Sequence, residues 1–498
     1  MREYKKQTMK LTTENLAQLS NQIIKPSYNR TAVNNGIVHI GVGGFHRAHQ
    51  AYYTEELLNQ GKSSDWGICG VGVRSADRGM LNALGSQDHL YTLFELTDAE
   101  DFRVQVISSI GDFILLEDEP ERLMTTLTAP ETRIVSLTIT EGGYCTDDST
   151  GKFLADLPQI QQDLANPQSP QTVFGLIVEA LHRRRTANIP PFTVMSCDNL
   201  PHNGRVARNA VLSFAELRDA DLKEWIAAEV TFPNGMVDRI TPMTSDEHKQ
   251  QLLADHGIDD EWPVVCEPFI QWVLEDKFCN GRPEWEAVGV QFTQDVTPYE
   301  EMKIGLLNGS HLALTYVGFL MGYRFVHQTM EDPLLQKYVR TFMDLDVTPL
   351  LAEAPGIDFD NYKDTLIERF SNPVICDQLS RVCSDGSSKF AKFVFPTLLK
   401  LIEQDKPLDR TALIVAAWAH YLRGVDEKGE TYAIPDPRAE ELQRIVTQSS
   451  HLEKDFLGLY DVFGAVIPAS EAFVNSFNRQ LAIIQEEGVA KALEKVLA

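Results

Sequence analysis

Apolar residues in the first half of the chain fall into short, β-branched runs, each separated from the next by turn residues or a longer amphipathic stretch. Residues 37–41 (IVHIG) predict a first strand and 67–73 (GICGVGV) a second, with a helix over about 46–60 between them. Further strands are expected at 104–113, 132–140 and 192–199, and helices around 118–127, 170–185 and 204–219. Strands alternating with helices in this way imply a doubly wound, mainly parallel sheet. Residues 229–295 break into short apolar pieces with frequent proline, which reads as extra strands at the edge of the same domain. From Thr297 onward the period changes to that of amphipathic helices, expected at 298–324, 332–345, 360–372, 374–383, 389–404, 409–423, 436–448 and 469–497. The boundary is placed at 295, so that 1–295 form a sheet domain and 296–498 a mainly helical one.

One helical stretch carries polar residues where the pattern asks for apolar ones. In KIGLLNGSH, Lys303 to His311, a lysine, an asparagine and a histidine stand at K-x4-N-x2-H spacing. At α-helical pitch Asn308 lies about 140° round from Lys303 and His311 about 80°, so all three share one side. Their neighbours Ile304, Leu306, Leu307, Leu312 and Leu314 are residues that prefer burial. A lysine so surrounded is expensive to keep charged, and its pKa is expected to fall toward the range where it accepts a proton. Thr297 as N-cap, Pro298 in the first turn and Glu300 three residues on mark the start of this helix. A structural reading is also available, with Lys303 snorkelling, Asn308 capping a neighbour and His311 bonded in a core.

The first strand ends in a glycine turn, Gly41-Val42-Gly43-Gly44-Phe45-His46, and a helix follows. That is the opening of a Rossmann-type dinucleotide-binding unit, except that His46 occupies the third glycine position of G-x-G-x-x-G. Glycine also serves simply to turn a chain, so the turn alone does not establish a nucleotide site. Past the second strand comes Arg74-Ser75-Ala76-Asp77-Arg78. Asp77 can accept from the adenosine ribose hydroxyls and repel a 2′-phosphate, which points to NAD rather than NADP; Arg74 and Arg78 pull the other way. Loops at 140–144 and 196–201 also follow apolar strands, at the sheet edge where ligands of open α/β folds collect. Asn199 in the second loop offers an amide to a developing oxyanion, or an Asx turn before Pro201.

Taken with TITEGGY at 138–144, TVMSCDNLPHNG at 193–204, DRITPMT at 238–244 and RVCSDGSSKF at 381–390, these motifs resemble the polyol-specific long-chain dehydrogenases and reductases over essentially the whole chain. The resemblance implies that Gly41, Gly43, Phe45, His46 and Arg47 begin the nucleotide site, with Asp77 setting the preference for NAD. It further implies Lys303 as general base, an oxyanion hole made by Asn199 and Asn308, and His311 holding the reacting oxygen or a neighbouring hydroxyl. Glu300 is open between a proton relay and a capping-box residue. Glu141 is expected to organise the loop near the nicotinamide. Asp238, Arg381 and Lys389 match the family's substrate-contacting positions; a plain helix connection around 382–388 and an Asp238–Arg239 pair are the structural alternatives. The activity so implied is reversible, metal-independent oxidation of D-mannitol at C2 to D-fructose with NAD.

Composition narrows the alternatives. At 498 residues, 43% hydrophobic and 23% charged, the chain is a soluble two-domain protein in type. A formal charge of −26 argues against nucleic acid or an anionic membrane as partner, while a nucleotide remains compatible with it. The N-terminal stretch lacks the apolar core of a signal peptide, and no apolar run is long enough to span a bilayer. Seven scattered cysteines without C-x2-C spacing fit a cytoplasmic protein with no metal site. The partner expected is a small polyol or ketose, and the resemblance implies a monomer. The rivals are an arabinitol or sorbitol dehydrogenase, a fructuronate or tagaturonate reductase using Arg381 and Lys389 for the carboxylate, an epimerase or lyase with retained NAD, and a nucleotide sensor.

Overall fold

Short apolar strands that read as unbroken hydrophobic runs belong to a sheet covered on both faces, and the first unit of this protein is built on one. The computed structural model describes residues 8–97, 102–147 and 150–498; the first seven residues of the N-terminal stretch considered above lie outside them. The chain divides into two compact units, Met1–Val296 and Thr297–Ala498.

In the first unit, β1 (Asn35–Ile40), β2 (Gly67–Gly72), β3 (Ile110–Leu115), β4 (Ile134–Leu137) and β5 (Thr193–Ser196) form a five-stranded sheet in the order β3-β2-β1-β4-β5. Every neighbouring pair is parallel, with Val38 in register with Cys69 on one side and Val135 on the other. Alternate residues face opposite layers. Val38, Ile40, Val71, Val135 and Leu137 pack beneath the helices Pro120–Thr128, Val173–Thr186 and Asn203–Arg218. Ile37, Ile68 and Ile134 face α1 (Gly44–Ala48) and α2 (Gln50–Asn59), with Trp272 and Trp285 behind them. Strand order reverses between β1 and β4, so the crevice beyond their carboxyl ends is the ligand position of this topology.

Several elements differ from the sequence reading, each for a local reason. The single strand expected at 104–113 is two: Phe102–Ile107 pairs antiparallel with Tyr91–Leu96 in a separate sheet, and Ile110–Leu115 joins the main one. Between them Ser108 donates its N–H to Glu55 at 2.8 Å and Ser109 its hydroxyl to Ala51 O at 2.7 Å, so α2 satisfies the polar groups where the chain changes sheets. The helix expected over 46–60 breaks at His49, whose φ of −124° and ψ of −88° are not helical. Within 229–295, Gly235–Asp238, Gln271–Glu275 and Gln291–Thr293 form one small sheet, Val264–Cys266 joins Tyr91–Leu96, and Ile258–Asp259 pairs with Met9–Lys10. An unanticipated helix, Asp246–His256, lies among them between a Ser245 cap and Gly257 at φ +70°. It buries only Leu252, which left no apolar stripe to read.

The second unit is helical. Asp409–Tyr421 is buried nearly all round and packs against Ser310–Leu320 and Glu471–Glu487, which is why its sequence reads as apolar on every face. Aromatic rings fill the space, with Trp418 stacked on Phe390 at 4.3 Å and Phe456 edge-on to Phe463 at 5.1 Å. The helix expected at 374–383 is limited to Leu379–Val382, and the one at 469–497 divides at Gly488, whose φ is +91°.

Candidate active site

The glycine turn shows two different reasons for glycine. Gly41 has φ +94°, and a Cβ there would lie 2.1 Å from Thr138 O, so the turn itself excludes any other residue. At Gly43 a Cβ would meet nothing nearer than Gly41 O at 3.8 Å. The protein leaves the space beside that backbone open, which suits close approach of a dinucleotide pyrophosphate. Phe45 is half-buried and stacks on His49 at 4.8 Å. His46 and Arg47 turn inward. Arg47 donates to Trp262 O at 2.6 Å, and the His46 ring stacks on His39 at 3.4 Å. Both side chains are buried, so their backbone is what the turn has left to offer a ligand. The third glycine of the fingerprint serves close helix–strand packing; here two stacked imidazoles occupy that space instead.

Asp77 lies just past β2 and folds back on its own turn. Its Oδ2 accepts the N–H groups of Val73 and Arg74, each at 3.1 Å, and its Oδ1 takes the Arg74 guanidinium at 3.1 Å. Arg78 is held by Asp118 at 2.6 Å and Glu117 at 3.2 Å. Both arginines that could have welcomed a 2′-phosphate are therefore paired with carboxylates.

The loops after β4 and β5 are joined by one carboxylate. Asp198 accepts the N–H of Ile139 at 3.0 Å and of Thr140 at 2.9 Å, and the Tyr144 hydroxyl at 2.7 Å. Burial pushes its pKa up, against the pull of those three donors. Glu141 and Asn199, one in each loop, are exposed. Asn203 continues the link: its amide donates to Asp198 O at 3.0 Å and Gly235 O at 2.8 Å and accepts Gly235 N–H at 2.9 Å. Gly235 begins the strand that ends in buried Asp238. Arg239 pairs with Glu95 at 2.6 Å.

In the second unit a helix begins at Thr297, carries Pro298 and buried Glu300 in its first turns, and widens at Lys303 into a π-helix that runs to Gly309. This corrects the α-helical angles assumed above. A π-helix closes its bonds from i to i+5, so Lys303 and Asn308, five apart, are neighbours one turn on rather than some 140° apart. Lys303 is 7% exposed, with Leu306, Leu307, Leu312 and Leu314 buried around it in the sequence. The Asn308 amide oxygen has no hydrogen-bond partner, so it caps no neighbour. His311 stands in the following α-helix with its ring stacked on Phe370 at 4.5 Å. Arg381 is bound in a fork by Asp377 at 2.7 and 2.6 Å. Lys389 donates to Arg381 O, Val382 O and Ser384 Oγ at 3.3, 3.1 and 3.2 Å, and burial lowers its pKa.

Residues 35–287 match the mannitol dehydrogenase Rossmann domain, and 295–485 the mannitol dehydrogenase C-terminal domain. The chain belongs to the mannitol dehydrogenase family. Mannitol 2-dehydrogenase of Phaeosphaeria nodorum is 45% identical over 97% of this chain and 84% of its own length. That of Neosartorya fischeri is 44% identical over 98% of this chain and 99% of its own. Among solved structures, Pseudomonas fluorescens mannitol 2-dehydrogenase in ternary complex with NAD and D-mannitol is 61% identical, with a TM-score of 0.88 over 98% of this chain and 99% of that one. A substrate-free D-sorbitol dehydrogenase is 41% identical, with a TM-score of 0.90 over 97% of this chain and 100% of its own.

The sequence reading passed over several residues that hold this family's motifs in place. Asp198 and Asn203 stand beside residues that were singled out, and nothing in their spacing separates a loop organiser from a ligand-facing group. His39 did leave a signal, because a histidine inside a strand covered on both faces must find partners within the protein. Among the described residues no group of His, Cys, Asp and Glu is arranged to hold a metal, and no helix is long and apolar enough to cross a membrane.

Proposed function

We propose that this chain oxidises D-mannitol at C2 to D-fructose with NAD, reversibly, as a cytoplasmic monomer. The observation that carries this reading is 61% identity, end to end, with a mannitol 2-dehydrogenase whose complex holds NAD and D-mannitol.

The chemistry follows from the side chains. Oxidation of a secondary alcohol requires removal of the hydroxyl proton, departure of a hydride and stabilisation of the oxygen between. Lys303, 7% exposed, takes the proton as the general base. Asn308, one π-turn on, and Asn199 donate their amides to the oxygen as charge develops, which replaces a Lewis acid. His311 orients the reacting oxygen or its neighbour, and Glu300 passes the proton outward. Asp238, Arg381 and Lys389 hold the remaining hydroxyls. The open backbone at Gly43 and the carboxylate of Asp77 hold NAD, which when bound supplies the hydride acceptor.

The state of the two cations favours a polyol over a hexuronate. The Arg381 guanidinium is forked onto Asp377, and Lys389 spends its donors on two carbonyls and a hydroxyl. A uronate carboxylate would have to displace those partners, whereas a hydroxyl can join them. The test is NADH formation with D-mannitol, with NADP+ in place of NAD+ and with D-arabinitol, D-sorbitol and keto-uronates as comparisons. Rapid NAD-dependent turnover of mannitol supports the reading. Turnover confined to a keto-uronate would move the chain to the uronate reductases, and NAD retained without net NADH to the epimerases.

A further inference from the structure

His39 lies in the middle of β1, fully buried, with no role in the reading above. Its Nε2 is 2.9 Å from Thr138 Oγ1 and its Nδ1 2.8 Å from Ser136 Oγ. Thr138 Oγ1 is also 2.6 Å from Gly41 O, and Ser136 Oγ is 3.0 Å from the Gln50 side-chain amide. These contacts allow only one arrangement of protons. A carbonyl only accepts, so the single Thr138 hydroxyl proton goes to Gly41 O. Thr138 Oγ1 can then only accept from His39, which puts a proton on Nε2. Burial keeps the imidazole neutral, its pKa pushed down to about 3, so Nδ1 is bare and takes the Ser136 hydroxyl proton. Ser136 in turn accepts from Gln50, which must present its NH2. Turned this way, the amide gives its Nε2 an acceptor in Ser136 Oγ.

We propose that His39 is a positioning residue for the dinucleotide, relaying one directed chain of hydrogen bonds from Gln50 through Ser136 and Thr138 to the carbonyl of Gly41. The inference rests on the reading that the Gly41 turn receives NAD. A trans peptide points its N–H opposite to its C=O, so a carbonyl held by Thr138 turns the Val42 N–H away from Thr138 and fixes its direction. His46 completes the device. Its ring lies 11° from parallel to that of His39 and stacks on it at 3.4 Å. Histidine in the third glycine position thereby holds the imidazole plane along which both bonds run.

The test has a part that needs no cofactor. In the protein labelled with ¹⁵N-histidine and assigned with a His39→Gln variant, His39 is expected as the neutral Nε2–H tautomer; a protonated Nδ1 would overturn the proposal. NADH titration supplies the second part. Thr138→Val should weaken NADH binding by about tenfold, the worth of one buried hydrogen bond, and Thr138→Ser should restore it. Equal NADH affinity in wild type and Thr138→Val overturns the positioning role while leaving the cofactor reading intact. A wild type that does not bind NADH overturns that reading and this inference with it.

Discussion

Tyr144 donates its hydroxyl to Asp198 at 2.7 Å, and through that carboxylate the loop carrying Glu141 is tied to the loop carrying Asn199. Removing one donor leaves Asp198 two, whereas removing the carboxylate releases both backbone amides and the phenol together. Tyr144→Phe is therefore expected to lower kcat/KM for mannitol by only a few fold, about 1 kcal/mol. Asp198→Ala should lower it by roughly a hundredfold, because a small misplacement of a reacting group is that expensive. Steady-state kinetics on the two variants decide it; equal losses would mean that the phenol, not the carboxylate, organises the loops.

Asp77 serves its own turn, since Val73 and Arg74 donate to it, and in the proposed reading it holds the cofactor as well. Replacing it with serine keeps a turn-capping oxygen, removes the charge and frees Arg74, whose side chain is 77% exposed. The ratio of NADP to NAD efficiency should rise by about tenfold, on the scale of one exposed charge pair gained and one repulsion lost. Initial rates with the two cofactors check it. A ratio that stays put would place the determinant of cofactor choice elsewhere.

What the sequence showed and what it hid follow from the range of the forces involved. Strand and helix patterns are local, so the mainly parallel, doubly wound sheet and the helical second unit were legible. The break at Ser108 and Ser109 was not, because it depends on α2 supplying partners from fifty residues away. The site divides in the same way. Lys303, Asn308 and Gly43 announce themselves by residue type and spacing, but the π-turn that makes Lys303 and Asn308 neighbours depends on packing. Arg381 and Lys389 looked like free cations because Asp377 and the carbonyl groups that hold them carry no motif.

Lys303 carries the proton step in this reading, and its replacement separates chemistry from binding. Lys303→Ala should reduce mannitol turnover at neutral pH by about 10² to 10⁴-fold, the range of general base catalysis. NADH affinity should remain close to that of the wild type, since the glycine turn and Asp77 belong to the other unit. Rapid kinetics and NADH titration on the same preparation provide both numbers. If NADH binding is lost along with turnover, the lysine is structural.

Gly305 sits inside the π-helix, and a Cβ there would lie 2.5 Å from Val347 Cγ1, itself in the π-helix Met343–Val347. Gly305→Ala should therefore destabilise the fold by about 1–3 kcal/mol through overpacking. Trimming the opposing side chain makes room, so the double variant Gly305→Ala, Val347→Ala should be more stable than Val347→Ala plus the cost of Gly305→Ala alone. Denaturant titration of the four proteins measures that coupling. Strict additivity would show that the two π-turns do not press on each other.

Glu55 gives stability a pH dependence of unusual sign for a carboxylate. It is fully buried, accepts from Tyr28 and from Ser108 N–H at 2.8 Å each, and burial, only partly offset by those bonds, raises its pKa to about 7. The unfolded chain releases this proton near the ordinary carboxylate value, while the folded protein keeps it to about 7. Within that window the native state binds the extra proton, so stability falls as pH rises and levels off above it. A glutamine keeps an acceptor for both donors and does not ionise. Relative to Glu55→Gln, the wild type should therefore lose stability by up to about 3 kcal/mol between pH of roughly 5 and 8. Denaturant midpoints of the two proteins at both pH values test it, and a constant difference would mean that Glu55 ionises as freely inside the protein as outside.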